Sequence, residues 1–179
     1  MQSTPDHPDH PDHPGNANPA VQLAPDELAA MRLAIAASRE ALDAGNQPYG
    51  ATLVSADGEI LQVAGNAQVT SGDGMAHAEI MAVRQVTARL GAQAVRGSTV
   101  YASGEPCAMC CGALFWAGVT RVVYGATNPQ MAALFGGESL PIRCADVVAG
   151  ASPAMRVDGP VLGEEVMAVL HEAKARRCR

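Results

Sequence analysis

Aromatic side chains are scarce in this 179-residue chain, at 3%: two Phe, three Tyr and one Trp. A core built from it must be filled by Ala, Val, Leu, Ile and Met, and each aromatic stands out individually. Charge is also thin, 17% against 48% hydrophobic residues, which excludes a disordered polyelectrolyte. No apolar run approaches the roughly 18 residues of a membrane helix, and the N-terminus lacks the basic, then apolar, then small-residue order of a secretion signal. Five cysteines, irregularly spaced, are too few for a disulfide framework. A basic excess is missing too: 18 acidic against 12 basic side chains leave a formal charge of −6. That balance weighs against a general nucleic-acid binder, with room left for a local basic patch. What these absences leave is one globular domain, expected in the cytoplasm, where reduced and clustered cysteines serve metals or catalysis.

Proline is concentrated at the front. Pro-Asp-His runs three times in succession from Pro5 to His13, and proline every third residue removes backbone donors and blocks helix and ladder alike. Residues 1–24 are therefore expected as a flexible, partly polyproline tail, with residues 25–179 as the domain. The tail holds three of the five histidines, but an unstructured tract cannot fix ligand geometry.

From Pro25 the pattern becomes structural. Asp26 and Glu27 open a helix whose Leu28, Met31, Ile35 and Leu42 keep helical spacing up to Gly45. Ala51–Ser55 and Glu59–Ala64 flank Asp57-Gly58, a strong hairpin signal. Ser71-Gly72-Asp73-Gly74 makes a loop into a helix over Ala78–Leu90. Then follow a strand (Ser98–Ala102), a helix (Cys107–Ala117), a strand (Thr120–Tyr124) and a short helix near Gln130–Leu134, the alternation of βαβ units. Between Phe135 and Pro160 only weak strands are predicted, near Ile142–Val147 and Ala154–Val157. A last helix over Glu164–Ala175 turns Val166, Val169 and Leu170 inward and ends in Lys174, Arg176, Arg177 and Arg179.

Two short segments carry chemistry: His77-Ala78-Glu79 and Pro106-Cys107-Ala108-Met109-Cys110, each opening a helix. Cys107 and Cys110 are three apart, so at about 100° per residue they share a helix face and can grip one metal ion. Pro106 suits the first helical turn, and the positive helix end favours thiolates. With the His77 nitrogen they make three ligands, the number that separates a catalytic zinc from a closed structural one. A lone Cys-x-x-Cys would equally suit a redox pair or a structural half-site; the upstream His-x-Glu selects the catalytic reading. His77 and Glu79 diverge by about 200° on one ideal helix, so they converge only if His77 caps it and Glu79 lies in the first turn. Glu79 can then shuttle a proton from water to a substrate, which suits hydrolytic removal of an amino group from a ring. Cys111 points away as a small buried residue, Cys144 and Cys178 have no evident partner, and His171 is expected at the surface.

His-x-Glu followed by Pro-Cys-x-x-Cys resembles the signature of zinc deaminases that act on bases. Pro48-Tyr49-Gly50-Ala51, Gly65-Asn66, Ala76 to Arg84, Gly104 to Ala113 and Val123 to Ala126 extend the likeness to the cytidine-deaminase-like superfamily, within it to the bacterial guanine deaminase and tRNA adenosine deaminase branch. This resemblance implies an α/β fold, a three-layer α-β-α sandwich around a five-stranded mixed sheet. It implies one Zn2+ on His77, Cys107 and Cys110, Glu79 as proton shuttle, and a homodimer. It further implies substrate contacts from Asn66 and the Ala78 backbone N–H, although Asn66 also reads as an ordinary turn residue. Phe115-Trp116 and Tyr101-Ala102-Ser103 look closer to guanine deaminases, which makes Ser103 and Trp116 candidate substrate contacts. Trp116 lies nine residues after Cys107, half a turn from the metal-facing side, so a purely structural place is equally open. Where guanine deaminases carry an acidic cluster, this chain offers only Glu138. A guanine-like purine, as free base or nucleoside, is the favoured substrate. Adenosine-to-inosine editing of tRNA and cytosine, triazine or pterin deamination are the alternatives.

Overall fold

The computed structural model describes residues 21–137 and 140–178. Helix α1 (Pro25–Asp43) starts on a proline, whose missing N–H is no loss in the first turn, and the Glu27 carboxylate accepts the Ala24 N–H at 2.9 Å. Just upstream, Val21 and Leu23 pack half-buried against the core. The packed domain thus begins before Pro25, inside what the sequence suggests as tail; residues 1–20 lie outside the described residues.

Strands β1 (Gly50–Val54) and β2 (Ile60–Gly65) form the expected antiparallel hairpin, turning at Gly58 with φ +87°. After them come α2 (Gln68–Ser71), α3 (Ala78–Leu90), a 3-10 turn (Ala92–Val95), β3 (Thr99–Gly104), α4 (Ala108–Ala117) and β4 (Arg121–Ala126). The chain closes with α5 (Asn128–Phe135), α6 (Cys144–Val147), β5 (Arg156–Asp158) and α7 (Gly163–Arg177). Helix α5 starts on a reciprocal cap: Thr127 Oγ1 accepts from Gln130 N–H at 3.2 Å, and Gln130 Oε1 accepts from Thr127 N–H at 2.8 Å.

The sheet order is β2-β1-β3-β4-β5, with β1 antiparallel to both neighbours and β3, β4 and β5 parallel, a mixed five-stranded sheet as expected. Alternate strand residues point to opposite faces, and both faces are covered. Leu53, Val100, Ala102 and Val122 meet Ala82 and Val86 of α3 and Leu114 of α4 on one side. Tyr101 and Val123 meet Met31 and Ile35 of α1 and Val166, Val169 and Leu170 of α7 on the other. The covering helices lie close: a Cβ on Gly50 would stand 2.1 Å from the Ala34 carbonyl oxygen, and one on Gly125 2.4 Å from Val166 Cγ2.

Two sequence expectations need correction, and one helix adds to them. The strand predicted near Ile142–Val147 is instead coil and α6, because Cys144 buries into the α3/α4 side of the core and a short helix lets it do so. Helix α2 escaped notice because its four residues are too few to show periodicity. Pro106 stands before the cap of α4 rather than in its first turn, since Cys107 is itself the cap.

Candidate active site

The register pairs Gly50 with Gly65, Ala51 with Ala102 and Gly104 with Ala126, so the start of β1 and the ends of β2, β3 and β4 meet at one edge of the sheet. Open α/β sheets bind ligands beyond the carboxyl ends of their parallel strands. A cavity of about 520 Å³ lies there, lined among others by Tyr49, Asn66, His77, Glu79, Cys107 and Phe135.

Helices α3 and α4 both point their N-termini into this cavity. Their caps are His77 and Cys107, in extended conformation and with no side-chain capping hydrogen bond. Positions usually held by Ser, Thr, Asp or Asn are given over to metal-ligand residues. His77 Nδ1 stands 3.8 Å from Cys107 Sγ and 3.5 Å from Cys110 Sγ, and all three donor atoms lie within 4.8 Å of one another. Zinc bonds of about 2.3 Å to sulfur and 2.0–2.1 Å to nitrogen, at a tetrahedral angle, put those atoms roughly 3.5 Å apart. The donor set therefore fits zinc in both chemistry and spacing.

Among the three donors the negative charge settles on Cys107. The Cys107 thiol is held down at about 4, first by a hydrogen bond from Cys110, against the pull of burial, and then by His77. Cys110 is pushed up in turn by that same bond and by burial. The His77 imidazole is raised by its bond to Cys107. Glu79, 7% exposed, also lines the cavity, with His77 at the cap and Glu79 in the first turn, as convergence requires. Burial raises its carboxyl above the usual range and the Cys107 charge adds to this, while its own backbone N–H and His77 oppose.

The remaining sequence candidates are placed as follows. Asn66, 3% exposed, lines the cavity. Ala78 is buried at the first position of α3, beside the metal-ligand cap. Ser103 is buried beneath the site, where its Oγ accepts the Gly50 N–H at 3.0 Å and ties β3 to β1; it does not line the cavity. Trp116 is 82% exposed, edge-on to Phe115 at 5.2 Å, and is not brought to the cavity, as its half-turn offset from Cys107 along α4 dictates. Glu138 lies outside the described residues.

Besides Asn128, two polar residues line the cavity that the sequence alone does not mark as functional. Glu105, its side chain 1% exposed, receives the Asn128 N–H at 2.9 Å, the Cys144 N–H at 2.9 Å and the Arg143 guanidinium at 2.8 Å. Arg143 in turn donates to the Tyr124 hydroxyl at 3.2 Å. One carboxylate thus fastens the starts of α5 and α6 to the loop that carries Cys107. Gln68 is the other, hydrogen-bonded to Asn66. Its signal was a local one, an Asn two residues ahead of it after a strand. Cys111 is buried against Cys144, a contact that raises the Cys111 thiol, and its Sγ bonds to the Pro106 carbonyl at 3.3 Å.

Residues 25–126 match the family model of the cytidine and deoxycytidylate deaminase zinc-binding region. The chain belongs to that family. A probable cytosine deaminase from Schizosaccharomyces pombe is 36% identical over 152 residues, spanning 83% of this chain and 92% of that protein. A guanine deaminase from Bacillus subtilis is 38% identical over 103 residues, spanning 57% of this chain and 65% of that protein. A solved structure of a tRNA:A34 deaminase superposes with a TM-score of 0.67 at 29% identity, over 79% of this deaminase and 99% of the other chain. Two further curated relatives are much longer, the match spanning 19% and 21% of their length. No described helix of this deaminase is long and apolar enough to cross a membrane.

Proposed function

We propose that this zinc deaminase acts on an uncharged free nucleobase or nucleoside, a guanine-like purine in first place, and releases ammonia. The observation that carries the reading is Glu79 beside His77, Cys107 and Cys110 at a cavity with no Lys or Arg among the described residues that line it. At about 520 Å³ the cavity falls in the range of sites that enclose a small molecule, roughly 300–1,000 Å³, and has room for a two-ring base. Among those described residues a phosphate meets no cation.

Zinc, when held by His77, Cys107 and Cys110, supplies the Lewis acidity that makes water a nucleophile near neutral pH. The Glu79 carboxylate takes a proton from the attacking water and delivers it to the ring nitrogen beside the amino-bearing carbon. It then moves the second proton to the departing amine, so the C–N bond breaks, ammonia leaves and a ring carbonyl remains. Asn66 donates to an acceptor on the base, and Tyr49 and Phe135 supply apolar walls.

Two other readings rest on particular observations. Cytosine is favoured by the Schizosaccharomyces pombe relative, which aligns over 92% of its length. Editing of tRNA is favoured by the tRNA:A34 deaminase likeness and by the basic end of α7. Against the second, Arg176 is already paired with Asp43 and Glu172, and Arg177 lies over the Phe135 ring at 4.6 Å. Ammonia release by the zinc-loaded protein is to be measured on guanine, guanosine, cytosine, cytidine, adenosine and an adenosine-bearing anticodon stem, with Glu79→Ala as blank. Turnover of guanine or guanosine that vanishes in the variant is expected; turnover of cytosine or of the stem alone would replace this substrate with that one.

A homodimer belongs to the same reading. Met109 and Trp116 are seven apart on α4, on one exposed face, at 38% and 82% exposure. Sedimentation is expected to give a dimer for the wild type and a monomer for Trp116→Glu.

A further inference from the structure

We propose that Gln68 is a positioning residue that locks the Asn66 amide so that an N–H, not an oxygen, faces the substrate. This rests on the reading of the cavity as a base site. Both side-chain orientations follow from backbone groups of fixed polarity. A backbone N–H can only donate, and that of Gln68 bonds to Asn66 Oδ1 at 3.0 Å. A carbonyl can only accept, and that of Gly74 receives Gln68 Nε2 at 2.7 Å. Gln68 Oε1 is therefore the atom that meets Asn66 Nδ2, at 2.8 Å. Asn66 and Gln68 both line the cavity together with His77 and Glu79.

The loop that carries this relay is itself held firmly. The Asn66 N–H bonds to the Tyr49 carbonyl at 2.8 Å and the Ala67 N–H to the Ala76 carbonyl at 2.9 Å. Asn46, in the loop just after α1, accepts the Val69 and Thr70 N–H groups at 3.0 Å each. With one Nδ2 hydrogen on Gln68, Asn66 keeps one hydrogen to offer. The matching ligand group is an acceptor, a carbonyl oxygen or an unprotonated ring nitrogen. Without Gln68 the amide can turn over at the cost of a single bond to the Gln68 N–H, and would then present oxygen to that acceptor. Gln68 thus acts on binding through Asn66 and not on proton transfer.

The test uses the zinc-loaded full chain and two readouts. In the first, the side-chain amide resonances of Asn66, assigned by their loss in Asn66→Asp, are followed by NMR in Gln68→Met. The resonances are expected to shift, and to exchange faster with solvent than in the wild type. In the second, steady-state kinetics on whichever panel compound turns over are expected to show KM raised about tenfold, the loss of one oriented hydrogen bond, with kcat within about twofold. In an Asn66→Ala background the same Gln68 substitution is expected to change nothing. Gln68→Ala, which also removes the acceptor for Asn66, is the second variant should Gln68→Met not fold, with the same losses expected. Unchanged Asn66 resonances, or an equal loss in both backgrounds, would overturn the proposal. A wild type silent on the whole panel would instead overturn the substrate reading, and the amide resonances would still decide the role of Gln68.

Discussion

At the residue scale, the metal site depends on two cysteines three apart and is indifferent to the third beside them. Cys110 Sγ stands within 4.8 Å of both other donors, whereas Cys111 Sγ turns to the Pro106 carbonyl and to Cys144. Cys110→Ser is accordingly expected to lose stoichiometric zinc by elemental analysis, and Cys111→Ser to retain it. Glu79→Gln keeps shape and hydrogen-bonding reach but cannot take a proton. It is expected to bind zinc normally and to lower kcat by about 10²–10⁴-fold. These residues were legible in the sequence because their geometry is local: two helix starts, each with its ligands within three positions. Gln68 and Glu105 were not, because their partners include backbone groups of Gly74, Asn128 and Cys144, whose positions follow only once the chain has folded. Trp116, marked by resemblance, is not among the residues that line the cavity and stands exposed on α4.

At the element scale, the spacing of apolar residues marked α1 and α7, each of which buries one face, and the Asp57-Gly58 turn marked the hairpin. The stretch around α6 resisted, since four residues carry no period and its place is set by a buried carboxylate from another segment. That carboxylate gives the stretch a measurable anchor. Glu105→Ala removes one partner of the Arg143 pair and strands two backbone N–H groups, those of Asn128 and Cys144. Breaking a buried pair in this way costs about 3–5 kcal/mol; with Arg143 partly exposed, about 3 kcal/mol is expected in urea unfolding. Zinc content is expected to hold in the folded fraction, because Glu105 is not among the donor atoms. Hydrogen exchange should rise first in α6 and at the start of α5, the two elements that Glu105 fastens.

At the scale of the whole molecule, the first and last thirds of the chain are tied together far from the cavity by one ionic chain. Arg121, at the start of β4, bonds to the Glu27 carboxylate of α1 and, at 2.6 Å, to Asp158 of β5. Tyr101 also donates to Glu27, at 3.2 Å. Burial pushes the Glu27 carboxyl up, but the Ala24 N–H, Arg121 and Tyr101 together bring it below the usual value of 4.5. A carboxyl depressed in the folded state contributes stability that is present above its unfolded pKa and is lost as pH falls through the folded one. The side chains of Glu27 and Arg121 are each about a fifth exposed, 21% and 20%, so solvent takes part of the gain. Glu27→Gln is therefore expected to cost about 1 kcal/mol at pH 7. That difference from wild type should shrink as pH falls below about 4.5 and the wild-type carboxylate takes up its proton. A difference independent of pH would mean that Glu27 acts through the shape of the α1 start, where its oxygen receives the Ala24 N–H, and that the tie to Arg121 adds nothing.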